Sequence, residues 1–109
     1  MRGQIDPTAT ISQGGTTLQV SGPLEDWEDD ERGAVIHVSV TQGGWRVTGA
    51  SGFTPSNTQT WSATIDGPNT FVAGAAHAAA TATVHLVDGG HEPYPYPGDP
   101  PWERGITLV

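Results

Sequence analysis

Apolar and polar residues alternate along most of the chain, and short runs of Gly, Pro and Asn interrupt the alternation. The clearest case is residues 34–41, in which Ile36, Val38 and Val40 share one face. A period of two puts successive side chains on opposite faces, so each run predicts a β-strand with one buried face. The predicted strands are Thr8–Ser12, Thr16–Ser21, Ala34–Thr41, Trp45–Ala50, Gln59–Asp66, Ala75–Val87 and Gly105–Val109.

The alanine-rich segment 75–87 has the composition of a helix but the periodicity of a strand. Thr81 and Thr83 are β-branched, which also favours a strand. The residues predicted to face inward are Ala76, Ala78, Ala80, Ala82, Val84 and Leu86. These mostly small side chains would let the opposed sheet approach closely, or would receive the bulky Trp61.

Seven short strands joined by turn signals are typical of a β-sandwich. The turn signals include Gln13-Gly14-Gly15, Gly43-Gly44 and Gly67-Pro68-Asn69. The chain has no internal repeat and no linker, and 109 residues suit one domain. We therefore predict that residues 1–109 form a single all-β domain, an antiparallel two-sheet immunoglobulin-like sandwich.

Charge and cysteine content exclude several function classes. The formal net charge is −8, with four Arg and no Lys, so the surface repels nucleic acid and anionic membranes. No apolar run is long enough for membrane insertion. The absence of Cys excludes disulfides, thiolate nucleophiles and cysteine-ligated zinc.

An acidic loop, residues 25–31, is the first candidate site. Asp26, Glu28 and Asp30 alternate along it, and carboxylates in this arrangement can converge on calcium. The loop lacks the glycine and the distal glutamate of an EF-hand. The alternative is a solvated, self-repelling connection between two strands. We therefore expect no cofactor, with calcium as the alternative at this loop.

Histidines on predicted outward faces are the second candidate site. His37 lies on one strand, and His77 and His85 lie on another. The third and sixth strands are neighbours in the immunoglobulin topology, so His37 could sit beside one of that pair, for which we take His85. Paired imidazoles with a carboxylate can bind a transition metal. The alternative is a set of solvated surface histidines, because the pattern does not fix the register.

A proline-rich connection, residues 91–102, is the third candidate site. Its Tyr-Pro repeats favour a stiff, extended path, and Tyr94, Tyr96 and Trp102 would offer aromatic surface to a protein partner or a sugar. The alternative is that these rings fold back over the open end of the sandwich.

No catalytic constellation is present in the sequence. A nucleophile would have to be Ser or Thr beside His, and no Gly-x-Ser-x-Gly elbow occurs. Gly14-Gly15 and Gly43-Gly44 precede predicted strands and not helices, which argues against a phosphate-binding loop. We therefore expect that the protein is not an enzyme.

The runs TATISQGGTTLQVSG, VIHVSVTQGG, WRVTGASG, QTWSATI and FVAGAAHAAATATVHL resemble uncharacterised immunoglobulin-like domains of secreted bacterial proteins. The resemblance covers about residues 8–88 and implies the sandwich fold. Those domains often carry a cysteine pair, which this chain lacks. The acidic loop and the Tyr-Pro connection have no counterpart in them, so the resemblance assigns no site residue.

Together these features predict a structural or recognition module, such as an assembly, surface or adhesion domain. Its expected partner is another protein or a second copy of itself. Residues 1–15 lack the apolar core of a signal peptide, so the chain either stays inside the cell or is a mature or excised domain. An extracellular, surface or virion-associated location fits the expected function best.

Overall fold

The computed structural model describes residues 1–12, 14–67 and 70–109, and this part of the chain is all-β, without a helix. The strands are β1 (Arg2–Gly3), β2 (Thr8–Ile11), β3 (Thr17–Glu25), β4 (Glu31–Gln42), β5 (Trp45–Ala50), β6 (Thr54–Pro55), β7 (Thr60–Asp66), β8 (Gly74–Leu86), β9 (His91–Tyr94) and β10 (Glu103–Leu108). Among these residues no helix meets the length and hydropathy needed to cross a membrane.

Seven strands form a closed ring of hydrogen-bonded neighbours. Their order is β4-β5-β7-β3-β2-β10-β8, and β8 pairs back onto β4. These seven are the strands that the alternation predicts, whereas β1, β6 and β9 are short additions outside the ring. The all-β prediction is therefore confirmed.

The prediction of two antiparallel sheets needs correction. β2 and β10 pair in parallel, with Thr8 opposite Thr107 and Ala9 opposite Leu108, so the sheet is mixed. The ring is also continuous, although β5 and β7 meet only at Ala50 and Thr64. Periodicity reports which face of a strand is buried and carries no information on the partner or its direction, which explains the error.

The two longest strands change partners halfway along. Residues 37–42 of β4 pair with β5, while Gly33 and Ala34 pair with β6. Residues 74–79 of β8 pair with β10, while residues 82–85 pair with β9. The far halves of β4 and β8 therefore extend beyond the ring as a four-stranded sheet in the order β6-β4-β8-β9. The sequence pattern treated β6 and β9 as loop.

The interior follows the predicted alternation. Trp61 is 2% exposed and packs edge to face on Trp102, with 5.6 Å between the ring centroids. Gly22 lies opposite Trp61 in the β3–β7 register, where a Cβ would come within 2.0 Å of the Gln4 carbonyl oxygen. The other fully buried side chains include Leu18, Val20, Ile36, Val40, Ile65, Val84 and Leu108.

The predicted turns are partly described. Gly43 and Gly44 both have positive φ, 59° and 86°, and close the β4–β5 hairpin as the Gly-Gly pair predicts. The turn predictions at Gln13-Gly14-Gly15 and Gly67-Pro68-Asn69 each include residues outside the described ranges, namely Gln13, Pro68 and Asn69.

Candidate functional site

A groove of about 750 Å³ lies beside the proline-rich connection. Residues 2–5, in and after β1, form one wall, and residues 94–96 and 99–104 form the other. The groove thus joins the N-terminal segment to the connection that the sequence singled out. We refer to it below as the aromatic groove.

Tyr94 connects the two walls of the groove. It is the last residue of β9 and lies opposite Ala82 of β8. Its phenol oxygen accepts a hydrogen bond from the Gly3 amide at 3.1 Å. The half-buried ring also packs edge to face on Tyr96, with 5.7 Å between the centroids. The position of this ring is therefore fixed from both sides of the groove.

Tyr96 is anchored by a buried carboxylate that the sequence pattern assigned to the exposed loop. Glu31 is 4% exposed and accepts a hydrogen bond from the Tyr96 hydroxyl at 3.2 Å. Its other oxygen accepts hydrogen bonds from the Met1 amino group and the Glu28 amide, both at 2.6 Å. Burial of the phenol, together with the charge and hydrogen bond of Glu31, raises the pKa of Tyr96 well above its usual value. The phenol therefore stays a neutral donor.

Trp102 is part of the core and also lines the groove. It is 7% exposed and packs on Tyr94 at 5.2 Å between centroids, in addition to Trp61. The absence of a side chain at Gly3 permits this packing, since a Cβ there would lie 2.5 Å from the Trp102 ring. All three candidate aromatics therefore line the groove, and Trp102 is the most deeply buried of them.

The aromatic groove is neutral in a strongly acidic protein. Arg2 and Arg104 line it on the positive side, and Asp99 and Glu103 on the negative side. These formal charges cancel, whereas the whole chain carries −8. Arg104 also donates to the Ile5 carbonyl at 2.9 Å, which links the two walls a second time.

The acidic loop is shorter than predicted, because β3 runs to Glu25 and β4 begins at Glu31. Asp26, Glu28 and Asp30 are all exposed at its tip. Within the described residues, no group of three or more His, Asp or Glu side chains is arranged to hold a metal ion. The structure therefore does not bring the three carboxylates together.

Trp27 connects the tip of the acidic loop to the rest of the domain by a hydrogen bond and by packing. Its indole N–H donates to the Thr58 carbonyl at 2.9 Å, and its ring packs against the core. Asp26 has a left-handed backbone, with φ of 56°, and its carboxylate lies 3.7 Å from Arg2 in an exposed ion pair.

The structure separates His37 from His85. In the β4–β8 register His37 lies opposite Thr81, whereas His85 lies opposite Gly33, four residues further along. At about 3.3 Å per residue this offset puts the two histidines too far apart to share an ion. His37 instead lines a shallow hollow of about 550 Å³ on the outer face of the ring.

His85 has a different partner. It lies directly opposite His91 in the β8–β9 pairing, with 4.5 Å between the ring centroids. Burial and the charges of His91 and Arg32 lower the pKa of His85. The sequence contained the signal for this pair, because Asp88-Gly89 between the two histidines is a hairpin turn motif.

The comparisons with known proteins assign neither a family nor a function to the chain. No protein-family model matches the chain, and no curated protein matches it. Among solved structures, murine CRIg, an immunoglobulin-like domain, aligns with 98% of this chain and 94% of its own at 13% identity and a TM-score of 0.48. The comparisons do not support the secreted bacterial origin that the sequence motifs suggested.

Proposed function

We propose that this chain is a non-catalytic recognition module of the immunoglobulin-like type, and that the aromatic groove binds a segment of a protein partner. The observation that carries the proposal is a neutral groove of about 750 Å³, lined by tyrosine and proline, on a domain of net charge −8. An acidic partner therefore meets less electrostatic repulsion at the groove than at the rest of the surface.

The chemistry of the walls favours a peptide. Tyr94 and Tyr96 are held by hydrogen bonds to Gly3 and Glu31, so binding costs little side-chain entropy. Pro100 and Pro101 are exposed and add stiff apolar surface. Tyrosine is enriched in protein interfaces, where rings of this kind supply contact area.

A sugar ligand has less support. Stacking on a sugar needs an open ring face, and the Tyr94 ring packs edge to face with both Tyr96 and Trp102. Carbohydrate in the groove and calcium at the acidic tip remain the alternatives. We place the module at a cell or virion surface, where many domains of this architecture act.

Display selection with a random peptide library on the folded domain tests the proposal. We expect enriched peptides to bind the wild type and to lose binding when Pro100→Glu adds a negative charge inside the groove. Pro97→Glu is the matched control, because Pro97 is exposed on the same connection and does not line the groove. Neither substitution removes a backbone hydrogen bond, since proline has no N–H.

Two results would overturn the proposal. One is a selection whose peptides bind wild type, Pro100→Glu and Pro97→Glu equally, which would place the site outside the groove. The other is a glycan array in which the same domain binds a defined sugar and Pro100→Glu abolishes that binding, which would make the groove a carbohydrate site.

A further inference from the structure

We propose that His85 and His91 form a two-ligand site for a divalent transition-metal ion of the zinc type, bound across the hairpin that joins β8 to β9. The inference is independent of the proposed function, since neither histidine lines the aromatic groove. It replaces the pairing of His37 with His85 that the sequence pattern suggested.

The hairpin holds the two imidazoles in place. His85 and His91 are the pair next to the turn, and the turn is fixed by hydrogen bonds from the Leu86 amide to the Gly90 carbonyl at 2.8 Å and from the Gly89 amide to the Leu86 carbonyl at 3.0 Å. Residues directly opposite on antiparallel strands have Cβ atoms about 4.5–5.5 Å apart, and their side chains lie on the same face.

The spacing of the rings suits a shared ion. Imidazole nitrogens bind zinc at about 2.0–2.1 Å, so two ligand nitrogens must lie roughly 3.3 Å apart at a tetrahedral centre. The ring centroids are 4.5 Å apart, so we expect side-chain rotation to bring one nitrogen of each ring to that spacing. His91 is exposed and His85 is half-buried.

Phe53 orients His85 from the opposite side. Its ring packs edge to face on His85 at 5.5 Å between centroids and fills the space above Gly33, where a Cβ would lie 2.5 Å from it. Arg32 lies over this Phe53 ring at 5.4 Å and is the positive group that opposes a cation at His85. The protein's net charge of −8 favours the binding of a cation.

Two protein ligands leave the remaining coordination positions to water, so the site is open. We expect weaker binding than at a closed site with four protein ligands. The bound ion would cross-link β8 to β9, the strand that carries Tyr94 into the aromatic groove. An effect of the ion on partner binding rests on the proposed function. The binding of the ion to the two histidines does not rest on it.

Calorimetric titration of the metal-free, full chain with zinc chloride tests the inference. We expect one ion per chain, and a loss of affinity of at least about tenfold in His91→Ala, because even the hydrogen-bond partners of metal ligands have effects of that size. His85→Ala should behave alike. His37→Ala is the matched control, since His37 is exposed between Thr81 and Ala50 and should leave the affinity unchanged.

Thermal melts give a second readout. Zinc binding to the folded state alone should raise the melting temperature of the wild type and of His37→Ala, but not of His91→Ala. His91 is exposed, so its substitution decides the test even if His85→Ala fails to fold. The inference is overturned if zinc does not bind, if His91→Ala binds it as well as wild type, or if His77→Ala abolishes binding. The last result would move the ion to His77 and Glu103, which lie 3.8 Å apart.

Discussion

Trp61 offers the sharpest test of how the core is built. Its side chain is 2% exposed, packs on Trp102, and donates its indole N–H to the Gln4 carbonyl at 2.8 Å. Truncating a buried Trp to Ala removes the packing and leaves a cavity, at a cost of about 3–5 kcal/mol. A domain of this kind has about 5–15 kcal/mol of total stability, so Trp61→Ala should lie near the limit of folding.

Two further variants separate packing from hydrogen bonding. Trp61→Phe keeps most of the ring volume and loses the bond to Gln4, which should cost about 1–3 kcal/mol because the carbonyl is left without its partner. Trp27→Ala is the control, since Trp27 is half-buried and also donates to a backbone carbonyl, that of Thr58. Its loss should destabilise the protein by less than Trp61→Ala.

Urea unfolding followed by far-ultraviolet circular dichroism measures these differences without depending on tryptophan fluorescence. We expect the unfolding free energy to fall in the order wild type, Trp27→Ala, Trp61→Ala. If Trp61→Ala lies within about 0.5 kcal/mol of wild type, a difference typical of surface substitutions, then Trp61 does not fill the core as described.

Three other predictions follow from charge and ionisation. Millimolar calcium should leave the melting temperature unchanged, because Asp26, Glu28 and Asp30 are exposed and not gathered; a rise would point to a calcium site at the tip. The raised pKa of Tyr96 means that the unfolded chain loses its phenolic proton first as the pH rises, so stability should fall from about pH 10 upward. Urea midpoints across this range should decline less in Tyr96→Phe, and equal declines would refute the assignment. Self-association through sheet edges and the proline-rich connection should grow with ionic strength, as salt screens the charge of −8. Light scattering that finds a monomer at every salt concentration would exclude it.

The buried carboxylate of Glu31 shows where local sequence patterns fail. In the sequence it is the last of a run of acidic residues, and such runs are usually solvated. In the structure β4 begins at Glu31, and its carboxylate accepts hydrogen bonds from the Met1 amino group and the Tyr96 hydroxyl as well as from the nearby Glu28 amide. Partners 30 and 65 residues away leave no trace in the local pattern.

The histidines include one pair that the sequence could predict and one pair whose separation it could not. His85 and His91 are six residues apart across a turn, and the Asp-Gly signal between them was readable. The relation between His37 and His85 depends on the register of two strands separated by more than thirty residues, and alternation is compatible with several registers. Only the folded chain could separate that pair.

The sequence by itself determined the seven ring strands and the faces that they bury, because side-chain alternation is a property of the local backbone. It thereby placed Trp61 and the inward alanines of β8 in the interior. The tertiary structure decided the closure of the ring, the parallel β2–β10 pair, and the packing of Trp102 against Trp61 and Tyr94. Those features depend on contacts between residues that are distant in the chain. The free energies of packing and hydrogen bonding that decide them are summed over the whole domain and not within one segment.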